Sequence, residues 1–174
     1  MNIVKIIRNR FLLKTNPVAF WKKSGVKLGD RAEIYSSASF GSEPYLIEIG
    51  NHVRINAGVR FITHDGGVWT LRGYDEKYKD VDLFGPIKVG NNVHIGTDAI
   101  IMPGVTIGDN CIIGCGAIVT KDIPDNSIAV GIPARVIKTI DEYLEQHIND
   151  FDYTKSLRAE EKKNYLLKKY NLQK

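Results

Sequence analysis

His64 begins the run His64-Asp65-Gly66-Gly67, where an otherwise regular spacing of aliphatic residues breaks off. Imidazole titrates near neutrality, so a histidine placed beside a hydroxyl can take its proton during attack on an acyl carbon. A lone histidine is more often structural, and the residues by themselves do not decide between the two. Asp65 stands next in the chain and could orient Nδ1 as a triad carboxylate does. Neighbours on extended chain point opposite ways, however, and an Asp before two glycines reads better as a turn former. Backbone carbonyls could orient His64 equally well, and Glu43 and Glu48 are further carboxylates with no positional support. His52 reads as a solvated corner, His94 as a polar wall or exposed corner residue, and His147 as a helix-surface residue. His52, His64 and His94 show no close pair aimed at one point, so no metal centre is expected. Cys111 and Cys115 lie four residues apart on one strand and turn, which makes a poor disulfide; they read as packing thiols in a reducing compartment. Lys121, Arg135 and Lys138 are cations suited to phosphates, although taken alone they describe ordinary solvated surface.

The frame that must carry these residues is legible over residues 87–136. Val89, Ile95, Ile101, Ile107, Ile113 and Val119 recur at every sixth position, and Gly90, Gly96, Gly108 and Gly114 each follow one directly. Val93, Ala99, Val105, Cys111, Ala117 and Ile123 form a second, mostly small series four residues behind the first. Six helical steps of 100° turn a side chain to another face, whereas six extended steps return it to the same side. The Gly-Asn-Asn and Gly-Asp-Asn runs supply corners that tolerate positive φ. The pattern predicts a parallel β-helix built from hexapeptides. An imperfect earlier pass runs through Leu28, Ile34, Phe40, Ile49, Ile55 and Phe61, with a surplus at Ser42–Tyr45 expected to bulge. Between Gly66 and Pro86 the pattern fails altogether. That excursion contains Trp69, Arg72, Tyr74, Tyr78 and Phe84, a content that suits function better than a disordered tip.

The ends of the chain differ in charge. Residues 1–24 hold six basic and no acidic residues, residues 25–137 ten basic and thirteen acidic, and residues 138–174 eight and seven. The net charge of +4 is therefore an N-terminal property and not a nucleic-acid footprint. No apolar run approaches membrane-spanning length, and Met1–Leu13 is too broken by charge to read as a secretory signal. It reads instead as an amphipathic helix ending near Asn16-Pro17. Two duties are open to it: capping the first coil, the preferred one, or lying on an anionic membrane surface. Beyond Val136 two helices are expected. The first covers Thr139–Asn149 with Thr139 as N-cap and Glu142 completing the box, and the second runs from about residue 156 to Tyr170. The expected fold is mainly β, with residues 1–24 as a basic N-terminal cap and 25–137 as the β-helix with its excursion at 66–86. Residues 138–174 form a C-terminal helical extension that closes the far end.

Over about residues 25–138 the sequence resembles the hexapeptide-repeat acetyltransferases, of the maltose and galactoside O-acetyltransferase type and the polysaccharide O-acetyltransferase branch. The likeness is most specific over NNVHIGTDAIIMPGVTIGDNCIIGCGAIVTKDIPDNSIAVGIPARVI. It implies a left-handed coil, against the usual right-handed rule for parallel crossovers. It also implies a homotrimer with acetyl-CoA as donor in a groove between subunits, no metal, and His64 as the general base. Thr97, Cys115, Thr120 and Lys121 match positions along the cofactor arm, and Arg135 and Lys138 supply charge at its nucleotide end. Asp65, Trp69, Arg72 and Tyr74 would face the acceptor, and the amide of Gly104 or Gly96 the oxyanion. His94 stands where the family commonly has tryptophan, and Cys115 where it has alanine. The function implied is O-acetylation of a sugar or surface-polysaccharide precursor, in the cytoplasm or at the inner membrane face. N-acetylation of an amino sugar and a non-catalytic hexapeptide scaffold are the alternatives.

Overall fold

Extended segments of two or three residues, each ended by a corner, wind the chain so that equivalent segments of successive coils pair in parallel. The computed structural model describes residues 3–172 and separates into two units, one ending at Glu142 and one beginning at Tyr143. In the first unit, β1 (Lys27–Leu28) and β2 (Glu33–Ile34) start the first coil. β3 (Ile47–Ile49), β4 (Arg54–Ile55) and β5 (Arg60–Phe61) form the second. β6 (Ile87–Val89), β7 (His94–Ile95) and β8 (Ile100–Ile101) form the third. β9 (Thr106–Ile107), β10 (Ile112–Ile113) and β11 (Ile118–Val119) form the fourth. The strands make three sheets, β1-β3-β6-β9, β2-β4-β7-β10 and β5-β8-β11. The second sheet continues into β12 (Ser127–Val130) and β13 (Arg135–Thr139), and β13 runs antiparallel. Residues 138 and 139, grouped by sequence with the C-terminal helices, therefore belong to a strand.

Between the sheets the core is a set of ladders. Leu28, Ile49, Val89 and Ile107 stand in register on one face. Ile34, Ile55, Ile95 and Ile113 do so on the second, and Phe61, Ile101 and Val119 on the third. Both six-residue series are buried throughout, Cys111 included. The Gly-Asn-Asn and Gly-Asp-Asn runs do supply corners of positive φ, each at its last residue. Positive φ falls on His52, Asn92, Asn110 and Asn126, at 54° to 57°, and not on the glycines beside them. Gly50 is needed because a Cβ there would lie 2.6 Å from the Gly90 carbonyl oxygen of the next coil. The asparagines add a ladder of their own: Asn92 Nδ2 donates to Asn110 and Asn110 Nδ2 to Asn126, both at 2.9 Å.

At the N-terminus, α1 (Ile3–Thr15) stops where Asn16 caps α2 (Pro17–Lys23) through a bond from Ala19 N to its Oδ1. The task of covering the first coil falls to α2. Trp21 packs 4.7 Å from the ring of Phe40, which stacks on Phe61 at 4.6 Å. α1 lies on α2 with none of its described residues buried. At the other end of this unit Thr139 and Glu142 form the expected capping box, which opens a helix at Ile140–His147. In the second unit the helix Ala159–Lys169 is tied down where Asp152 accepts from Tyr165 Oη and Lys169 Nζ. Among the described residues no helix is long and apolar enough to cross a membrane.

Candidate active site

The excursion leaves and rejoins the coil through a narrow neck. His64 and Phe84 form an antiparallel bridge, Asp65 N donates to Leu83 O at 2.8 Å, and Gly85 N donates to Thr63 O at 2.9 Å. A side chain on Gly85 would collide with the backbone at Pro103-Gly104, so the neck needs glycine to lie against the next coil. Within the excursion stands a helix that the periodicity did not announce, α3 (Val68–Tyr74). Its start carries no side-chain cap, and Gly66, Gly67 and Gly73 disguise it. Arg72 braces it by donating to Val81 O at 2.8 Å and pairing with Asp82.

His64 sits at this neck with its ring about half exposed, on the wall of a cavity of about 330 Å³. Its Nδ1 lies 3.2 Å from Glu43 Oε2 and 3.5 Å from Ser42 Oγ. The same Glu43 oxygen accepts from the buried hydroxyl of Thr63 at 2.6 Å. That donation, above all, holds the Glu43 carboxyl below the usual carboxylate range, against an opposing effect of burial. Asp65, Trp69 and Arg72 line the cavity with His64, and so does Phe84. Asp65 uses Oδ1 to accept from Gly67 N at 2.8 Å, which is the turn-forming role. Tyr74 is not part of the wall and stands 82% exposed. Five residues along a helix from Trp69 is a rotation of about 140°, which carries it to another side.

Sequence reasoning named Glu43 but found no place for it. The signal was present in the earlier pass, where the step from Phe40 to Ile49 is nine residues instead of six and stretches the coil step from 18 to 21. Lys27 pairs with Glu48, Ser39 with Arg60, and by the same step Glu43 falls beneath His64.

The residues matched to the cofactor do not line the His64 cavity. Thr97 and Cys115 stack on one corner, where Gly116 N donates to Thr97 O at 2.8 Å. Thr120 and Lys121 are exposed just after β11, and Arg135 and Lys138 stand on β13. Gly116 and Gly104 both have positive φ, and a Cβ on either would meet nothing within 4 Å. Bare backbone at those two corners leaves room for a slender ligand to lie against the coil. His94 is on β7, in register with Arg54 and Ile112, and burial first and the Arg54 charge second hold its imidazole below the ordinary value. His52 Nδ1 meets Asn92 Oδ1 at 2.8 Å, as a corner residue should. Among the described residues, no group of three or more His, Cys, Asp and Glu is arranged to hold a metal ion.

Residues 86–121 match the family model described as bacterial transferase hexapeptide (six repeats). The chain is 52% identical over 151 residues to Protein CapG of Staphylococcus aureus, covering 86% of each. It is 42% identical over 112 residues to the galactoside O-acetyltransferase of Escherichia coli K12, covering 64% of this chain but only 52% of that one. Among solved structures, a galactoside acetyltransferase in complex with coenzyme A superposes with a TM-score of 0.51 at 26% identity, over 90% of this chain and 86% of that one. These likenesses show the left-handed form of the parallel β-helix.

Proposed function

The chain belongs to the hexapeptide-repeat transferase family, and from that premise we propose that it is an acetyl-CoA-dependent O-acetyltransferase with His64 as general base. The observation that carries the proposal is the half-exposed His64 ring on the wall of a cavity, at the neck of the excursion. The donor supplies an acetyl thioester. His64 takes the proton of an acceptor hydroxyl as its oxygen attacks the thioester carbonyl carbon. It returns that proton to the sulfur as the C–S bond breaks. Thr97, Cys115, Thr120 and Lys121 would follow the pantetheine arm past the bare backbone at Gly116, and Arg135 and Lys138 would meet its phosphates. Asp65 and the aromatic faces of Trp69 and Phe84 would receive the acceptor, with Arg72 bracing that wall.

A sugar hydroxyl, free or in a surface-polysaccharide precursor, is the acceptor class we favour, supported by the galactoside relatives. The working form is a homotrimer. Ile100, Ile112 and Ile118, half-buried on the outer faces of two sheets, are suited to such packing. The protein works in the cytoplasm, with α1 touching the inner membrane face. Ile3, Ile7 and Phe11 form an exposed stripe four residues apart, while Ile6, Leu12 and Leu13 on the other side are half-buried. Arg8, Arg10 and Lys14 accompany the stripe, with no acidic residue in the helix.

Thiol release from acetyl-CoA, followed against sugars, amino sugars and nucleotide sugars, tests the reaction. Acceptor-dependent release should fall roughly 10²–10⁴-fold in His64→Ala while CoA binding persists. Activity only with amino sugars would mean N-acetylation, and an absence of CoA binding would mean a scaffold.

A further inference from the structure

We infer that Glu43 is a positioning residue for His64, holding the ring proton on Nδ1 so that Nε2 is the basic nitrogen, and that the Thr63 hydroxyl holds Glu43 in place. This rests on the reading of His64 as the base. A neutral imidazole has one N–H, and an ionised carboxylate only accepts, so the 3.2 Å contact between Nδ1 and Glu43 Oε2 fixes which nitrogen bears hydrogen. Ser42 Oγ, at 3.5 Å from the same nitrogen, is too distant to compete.

The rest of the geometry singles out Glu43 among the carboxylates nearby. Its side chain is 16% exposed against 46% for His64. It is anchored by the 2.6 Å bond from Thr63, a fully buried residue whose hydroxyl would lose this bond at a cost. The same bond keeps the carboxyl ionised to lower pH than usual. The other charged groups on the cavity wall are already engaged: Asp65 accepts from Gly67 N, and Arg72 pairs with Asp82. When His64 takes the acceptor proton it becomes an imidazolium, and the Glu43 anion then offsets that charge. The coil step of 21 places the carboxylate one coil beneath the base, so the pair is built across coils and not along the chain.

The test has an arm that needs no acceptor. In ¹⁵N-histidine NMR of the unliganded protein, His64 should be the Nδ1–H tautomer, and Glu43→Ala should abolish that preference. With acetyl-CoA and a galactoside or maltose as probe acceptor, Glu43→Gln should lower kcat roughly 10–10⁴-fold with KM little changed, the span between outer-shell and triad partners of histidine. A merely structural role would lower the rate without changing the tautomer. Thr63→Val should weaken both the tautomer preference and the rate, by less than the Glu43 variants, and Thr63→Ser should restore them. If His64→Ala abolishes activity while Glu43→Gln keeps the wild-type rate and Glu43→Ala the wild-type tautomer, this inference alone is overturned. If His64→Ala keeps its activity, the base reading is overturned and this one with it.

Discussion

At the scale of single residues, a second histidine is set apart from His64 by its surroundings. His94 lies across from Arg54 on β7, where burial and that guanidinium disfavour the imidazolium. The sign of the consequence is fixed by linkage. The unfolded chain protonates this histidine near the ordinary value of about 6.5, and the folded chain resists until lower pH. Stability should therefore decline as pH falls below about 6.5. Glu43, Glu142, Asp152 and Glu161 are also held low, but as carboxylates they withdraw stability only in more acid solution. Urea midpoints at about pH 7.5 and 5.5 separate the two effects. The wild type should lose stability between these values and His94→Gln should lose less; an equal loss in both would acquit His94.

Elements here are too short to be stable alone, since most strands contain two residues and gain their order from the coil above and below. Stability should therefore follow ladder contacts. Ile95, fully buried between Ile55 and Ile113, should cost about 2–5 kcal/mol when cut to alanine, the range for emptied core sites. Gly50→Ala adds an atom where the next coil already stands, and should cost about 1–3 kcal/mol although the site is a surface corner. Denaturant unfolding measures both. A Gly50→Ala protein as stable as the wild type would mean the coils can part there without cost.

For the whole molecule, charge and apolar surface meet at α1. None of its described residues is buried, so exchanging Ile7 and Phe11 for serine should leave the thermal midpoint within a few degrees. The same pair should matter for vesicles. The wild type should sediment with liposomes containing anionic lipid and not with neutral ones, and added salt should release it. The serine variant should stay in the supernatant. If the wild type ignores anionic vesicles, the membrane part of the proposal fails, and the mass in solution then shows whether further copies of the chain cover the stripe.

The sequence by itself determined the coil, because a six-residue period in Val89 through Val119 is a geometric statement about extended chain, independent of distant partners. It determined the break at His64 and the capping box at Thr139 for the same reason: each is written in neighbouring residues. Tertiary structure alone decided the partners of those features. Glu43 stands 21 residues before His64, and only coil stacking brings them within hydrogen-bonding distance. Only the fold reveals that a second helix, α2, rather than α1 covers the first coil. Likewise, Gly50, Gly90 and Gly108 are required by the next coil and not by their own φ, whereas Gly104 and Gly116 are required by φ alone. Contacts between coils carry no local signature, since their register depends on every surplus residue inserted between them.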